Sequence, residues 1–185
     1  MNATMALENA AGGWILPALG RRAISTQAVL LLAAAWGLPA LAHFAGVPVR
    51  VWLPRHWPVL LAGLCYGGGS GAVLGLTAPC AAYLLSGMPP PAILPAMSAE
   101  LASYGFLAGI ARGRCRWNLW LAAAAALAGG RLAYAGIAWA SGALGAAPGH
   151  YLWAALQPGW PAALGQFLVL PWIARGWVRR ESRRA

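Results

Sequence analysis

The sequence predicts an all-α, polytopic membrane protein. Three observations carry that reading: an apolar composition, apolar segments of membrane-spanning length, and arginines gathered at the flanks of those segments. Of the 185 residues, 61% are hydrophobic and only 9% are charged, and the mean hydropathy is +0.63. A soluble domain carries about 25% charged residues, so most of this chain's surface is adapted to something other than water.

The apolar segments run approximately from Thr26 to Gly46, Trp52 to Tyr66, Gly71 to Ser86, Ala92 to Ala111, Trp117 to Ala140 and Pro161 to Val178. A helix needs about 20 such residues to cross a bilayer. The organisation is therefore a cytoplasmic lead-in over 1–25, a transmembrane domain over 26–178 and a basic cytoplasmic tail over 179–185. Ahead of the first segment, Arg21-Arg22 with the later Ala40-Leu41-Ala42 imitates a twin-arginine signal peptide, but the residues beyond that triplet read as more membrane protein and not as an exported domain.

The second and third segments are short. Between them, Gly67-Gly68-Gly69-Ser70-Gly71 reads either as a turn or as the soft middle of one long helix, so the count is six or five. Cytoplasmic loops collect Lys and Arg. Six helices with the N-terminus inside put Arg21, Arg22, Arg112, Arg114, Arg116 and the five arginines from Arg175 to Arg184 in the cytoplasm, with Arg50 and Arg55 outside. Five helices merely exchange the outer pair for Arg21 and Arg22. Either way the C-terminus and the 112–116 loop are cytoplasmic.

Within the segments, Gly67, Gly71 and Gly75 recur every fourth residue, as do Gly105 and Gly109. Such stripes let helices approach closely where lipid supplies no hydrophobic drive. Tryptophans 52, 57, 117, 153, 160 and 177 fall near segment ends, as an interfacial belt requires. The fourth segment holds Glu100, one of three acidic residues in the chain. A carboxylate there costs on the order of 2.5–3.5 kcal/mol on insertion scales, so it should face the bundle interior. On a helix Ser103 and Tyr104 share its side, while Gly105 and Gly109 lie on the other. The fifth segment places Arg131 behind Gly129-Gly130, with Tyr134 one turn later, and the sixth adds Gln166 ahead of Pro171, which must interrupt the helix's hydrogen bonds.

Two readings of these polar groups stand side by side. Glu100 and Arg131 neutralise each other and hold helices together, or Glu100, Tyr104, Arg131, Tyr134 and Gln166 face a solute. Between the first two segments, Arg55, His56 and Trp57 sit in a proline-rich stretch that is either an interfacial linker or a lid over the same pocket. His43 and His150 are isolated and carry no assigned role.

Composition also excludes functions. All thirteen basic residues are arginine, so a Walker A loop, a Schiff-base lysine and a lysine base are absent. Any ATP-driven step belongs to another chain. The net charge of +10 does not mark a nucleic-acid binder, because the arginines flank apolar segments instead of interleaving with aromatics on a polar face. Cys65, Cys80 and Cys115 show no metal-ligand spacing, and the spans hold no serine–histidine or paired-carboxylate arrangement. No metal, cofactor or catalytic role is expected.

Several stretches together resemble the substrate-specific (S) components of energy-coupling factor (ECF) transporters. These are RHWPVLLAGLCYGGGSGAVLGLTAPCAAYLLSGMPPPAILPAMSAELASYGFLAGIARGR, GGRLAYAG and PGWPAALGQFLVLPWI. The shared features, in order, are a proline-led second helix, a glycine-rich bend into the third, Gly87-Met88-Pro89, Glu100 followed by Tyr104-Gly105 and Gly109, Gly130-Arg131, and Pro158-Gly159 with Gln166 and Pro171. One departure is Gly159-Trp160-Pro161, where the family joins glycine and proline more tightly. The resemblance implies a compact bundle of six transmembrane helices in the plasma membrane with a cytoplasmic N-terminus. It further implies a vitamin-like substrate held by Glu100 and its neighbours, a transmembrane coupling subunit and two ATPase subunits as partners, and a docking face on the first helix at Ala33, Ala34 and Gly37. Two other architectures share this size: a five-helix, tryptophan-rich ligand receptor of the translocator-protein type, and a structural membrane protein with no ligand.

Overall fold

The structure is a computed structural model that describes residues 15–140, 149–150, 153–154 and 157–183. Among the described residues there are six helices of eleven residues or more: α1 Arg21–Phe44, α2 His56–Tyr66, α3 Gly68–Ser86, α4 Leu94–Gly113, α5 Leu119–Ala140 and α6 Trp160–Ser182. The expected all-α bundle of six helices is thus what forms. The boundaries differ from the apolar runs chiefly at four ends: α1 begins at Arg21, inside the expected lead-in, α2 at His56 instead of Trp52, α3 at Gly68 instead of Gly71, and α6 carries the helix into the basic tail as far as Ser182.

Three helices, α1, α3 and α5, are both long and apolar enough to cross a membrane by themselves. The others depart from that standard for physical reasons. Helix α2 has only eleven residues, a rise of about 16 Å, but it lies at the centre of the bundle with Pro58 through Tyr66 all buried. Protein, not lipid, surrounds it. Helices α4 and α6 are long enough, at 20 and 23 residues, and are less apolar because they carry the polar side chains described below.

The glycine run resolves into a turn at one residue. Gly67 closes α2 with φ of 92°, a left-handed value that glycine adopts without steric cost, and α3 starts at the next residue. Both Gly63 on α2 and Gly71 on α3 lie against the Gly105 backbone, while Gly67 and Gly68 lie against Gly109. The two helices therefore form a hairpin on α4, with its apex level with Gly109. A Cβ on Gly71 would come within 2.6 Å of the Gly105 carbonyl carbon, and one on Gly75 within 2.5 Å of the Leu101 carbonyl oxygen. The expected seam exists, and Gly63 extends it.

Helix α1 bulges into a wider turn at Ala33–Gly37. Pro39 follows, and a proline ring collides with the carbonyl four residues earlier, here that of Ala35; the widened turn relieves the collision. Pro79 and Pro171 lie inside α3 and α6. Each removes one hydrogen bond, yet both helices run on through them.

Arginines separate by end. Tyr66 at the hairpin apex interacts with Thr26 of α1 and with Trp177 and Glu181 of α6, and Cys65 lies close enough to Arg112 of α4 to feel its charge. The Arg21, Arg112 and Arg179 ends of three helices thus share one side of the bundle. Arg55, the one-turn helix Val49–Trp52 and the Gln157–Gly159 turn lie at the other. Around the perimeter, Val29, Leu32, Trp36, Leu84, Leu132, Trp139 and Trp172 are exposed. A surface this apolar is stable only against lipid tails.

Gly105→Leu is expected to lower thermal stability by at least about 3 kcal/mol, because backbone atoms have no rotamer to yield. Gly136→Ala, on the exposed face of α5 with nothing within 4 Å of the added Cβ, should instead add up to about 1 kcal/mol. Thermal unfolding in detergent followed by size-exclusion fluorescence checks both signs.

Candidate functional site

Glu100 is the seventh residue of α4. At 1.5 Å per residue it stands about 9 Å from the helix start and about 20 Å from the arginine-rich end. It is 7% exposed and points into the bundle, as its insertion cost demands. An imidazole and a guanidinium converge on one of its oxygens: His56 Nε2 lies 3.8 Å and Arg131 Nη1 3.6 Å from Oε1. The hairpin delivers His56 from the first position of α2 and α5 delivers Arg131. Both separations exceed an ordinary hydrogen bond of about 2.7–3.2 Å.

Tyr104 sits one turn along α4 from Glu100, 1% exposed. Its ring meets the His56 imidazole edge-on, with centroids 5.0 Å apart and planes at 74°, and its hydroxyl is an electrostatic neighbour of Glu100 and Arg131. The ring fits because Gly130 has no side chain: a Cβ there would fall 2.6 Å from three ring carbons. Gly129 makes the same allowance for Leu107. The Gly-Gly-Arg sequence thus sets α5 against α4 and brings Arg131 to Glu100.

Arg131 is covered from above. A side chain on Gly159 would run into its guanidinium, and would meet Leu53 Cδ1 at 2.8 Å. Leu53 follows the one-turn helix in a left-handed conformation, φ 43°. Arg55 Nη1 donates to Met97 Sδ at 3.7 Å, and Trp57 Nε1 donates to the Trp52 carbonyl at 3.0 Å while its ring edge lies 3.4 Å from where a Gly165 Cβ would be. Burial holds the Arg55 pKa below the usual arginine value. The lid stretch is accordingly a cap packed on α4 and α6.

Gln166 is 1% exposed on the inner face of α6, and Tyr134 is half-buried one turn beyond Arg131. On α1, Ala34 is fully buried, so of the three small residues expected to dock a partner only Ala33 and Gly37 reach the surface. Among the described residues no group of three or more His, Cys, Asp or Glu side chains is placed to hold a metal ion.

Several buried polar atoms make no hydrogen bond to a described residue: Glu100 Oε1, both His56 nitrogens, Arg55 Nε and Gln166 Nε2. Burial without a partner costs on the order of 1–3 kcal/mol per group in proteins. Three glycines shape the site without having been singled out as site residues: Gly130 beneath Tyr104 and Gly159 against Arg131, which the sequence showed only as parts of motifs, and Gly63, which continues the four-residue period of Gly67, Gly71 and Gly75 and was legible on that ground.

The family model described as "ECF transporter, substrate-specific component" matches residues 25–174, a span that holds every polar residue of this site. No curated protein and no solved structure matches the chain.

A double-mutant cycle on Glu100→Gln and Arg131→Gln should give a coupling of about 0.5–3 kcal/mol in thermal stability, the double variant being less destabilised than the sum of the singles. Additive losses would mean that the two side chains do not neutralise each other.

Proposed function

This chain belongs to the substrate-specific components of ECF transporters, substrate-binding subunits and not enzymes, and from that premise we propose that it captures a vitamin or related small solute outside the cell, in the half of the bundle that holds Glu100. The observation that carries the proposal is the set of unpartnered buried atoms contributed by three helices and the cap. Opposite charges 3.6 Å apart attract by about 4–5 kcal/mol at an effective dielectric near 20, which offsets most of the insertion cost of the two ions at about 2.5–3.5 kcal/mol each. That pairing accounts for Glu100 and Arg131 alone. It leaves both His56 nitrogens, Gln166 Nε2 and Arg55 Nε without a hydrogen bond to a described residue, and a bound solute supplies them.

The chemistry sets the solute's character. Glu100 accepts, Gln166 Nε2 and Arg55 Nε donate, and His56 does one of each. Tyr104 and Trp57 offer aromatic faces. A small molecule with both donors and acceptors around a ring or amide fits this set better than a lone anion or a sterol.

Direction follows from charge. The arginine-rich end faces the cytoplasm by the positive-inside rule, which puts the Arg55 end, both site and cap, toward the outside with both termini in the cytoplasm. Energy comes from a coupling subunit and two ATPase subunits, since the chain has no phosphate-binding lysine of its own. The Ala33 and Gly37 surface of α1 docks the coupling subunit, with Ala34 packed behind it.

Native mass spectrometry of the gently extracted protein should show a bound small solute. Glu100→Gln and Arg131→Ala are each expected to weaken its binding by about tenfold or more while membrane insertion stays intact. Uptake unchanged in both variants would leave a helix-fastening ion pair as the whole role of these residues. Gly130→Val, which displaces the Tyr104 ring without altering a charge, should reduce binding in the same assay.

A further inference from the structure

The basic end of α6 is built differently from the other arginine clusters. Gly176, Arg179, Arg180 and Arg183 line a groove of about 400 Å³. Their spacing, i, i+3, i+4 and i+7, is that of a single helix face. Gly176 has nothing within 4 Å of where its Cβ would be, so the backbone at the groove's inner edge is open to a ligand. The three arginines form no salt bridge with a described residue. One turn before Gly176 on the same helix, Trp172 and Ile173 are exposed on the apolar perimeter, with Trp172 packed edge-on against Trp120 of α5 at 6.1 Å.

The order along this face is aromatic and aliphatic, then an open backbone position, then three forked cations. A phospholipid has the same order: acyl chain, glycerol, phosphate. Tryptophan settles at the level where tails meet headgroups. Arginine presents a planar fork that matches phosphate oxygens. From these observations we propose that α6 carries a binding site for the phosphate of an anionic phospholipid, with Arg179, Arg180 and Arg183 as its cations and Gly176 as its floor. The site is separate from the Glu100 site, at the opposite end of the bundle. It would hold α6 at a fixed depth in the cytoplasmic leaflet.

A free phosphate offers the same oxygens, and the exposed Trp172 and Ile173 one turn before the groove decide for the lipid. The test uses the full chain in nanodiscs containing phosphatidylglycerol and phosphatidylcholine, with lipids retained after extraction counted by native mass spectrometry. Phosphatidylglycerol should be retained preferentially. R179Q/R180Q/R183Q should cut that retention by about tenfold, and R21Q/R22Q/R114Q, the same loss of charge from the same end, should leave it unchanged. Gly176→Leu keeps every charge, fills the floor and should cut retention as well. Equal loss in the two triple variants, or full retention in Gly176→Leu, would reduce the site to a diffuse basic surface. Displacement of the lipid by inorganic phosphate would assign the groove to a free anion and overturn the proposal.

Discussion

Backbone contact between α4 and the α2–α3 hairpin is the constraint on which the rest of the structure depends. Gly63, Gly71 and Gly75 meet Gly105 and its neighbours with no side chain between them, and Gly109 meets the hairpin's apex at Gly67 and Gly68. In lipid there is no hydrophobic force to press helices together, so close van der Waals approach and hydrogen bonding must do so. Contact at this range admits one register only. That register places His56, the first residue of α2, level with Glu100, and leaves the opposite face of α4 free to turn Glu100 and Tyr104 toward α5.

Glycine also explains how α5 and the last turn before α6 join the site. Gly130 receives the Tyr104 ring, and Gly159 comes up against the Arg131 guanidinium. Each replaces a side chain with the flat surface of another residue. The polar groups are consequently held by shape before any hydrogen bond forms. Glu100 stands 3.6 Å from Arg131, near enough for the two charges to offset burial, and 3.8 Å from His56, both too far for an ordinary hydrogen bond.

The two ends of the molecule divide the work. The Arg55 end is closed by a cap packed on α4 and α6 through Met97 and Gly165. The other end gathers arginines from α1, α4 and α6 around Tyr66 and Arg112. Polar chemistry thus lies about 20 Å along α4 from the basic end, with an apolar core of Leu60, Leu64, Leu101 and Ala108 between them. Distance and a dry interior keep the two electrostatic regions independent.

The sequence by itself determined the class of molecule, the number and approximate bounds of its helices once the family pattern was read, and the inward side of α4. These are properties of local pattern: composition selects lipid as solvent, periodicity selects helix faces, and an ionisable residue in an apolar span has few places to point. The seam of Gly71, Gly75, Gly105 and Gly109 was legible for the same reason. Only the tertiary structure decided that Gly67 alone makes the turn, that α2 is a buried core helix too short to cross lipid, that His56 joins Glu100 while Ala34 turns inward, and that Gly130 and Gly159 shape the site. Those outcomes depend on which helices meet and at what register, and a glycine's value as empty space exists only once a neighbour fills it.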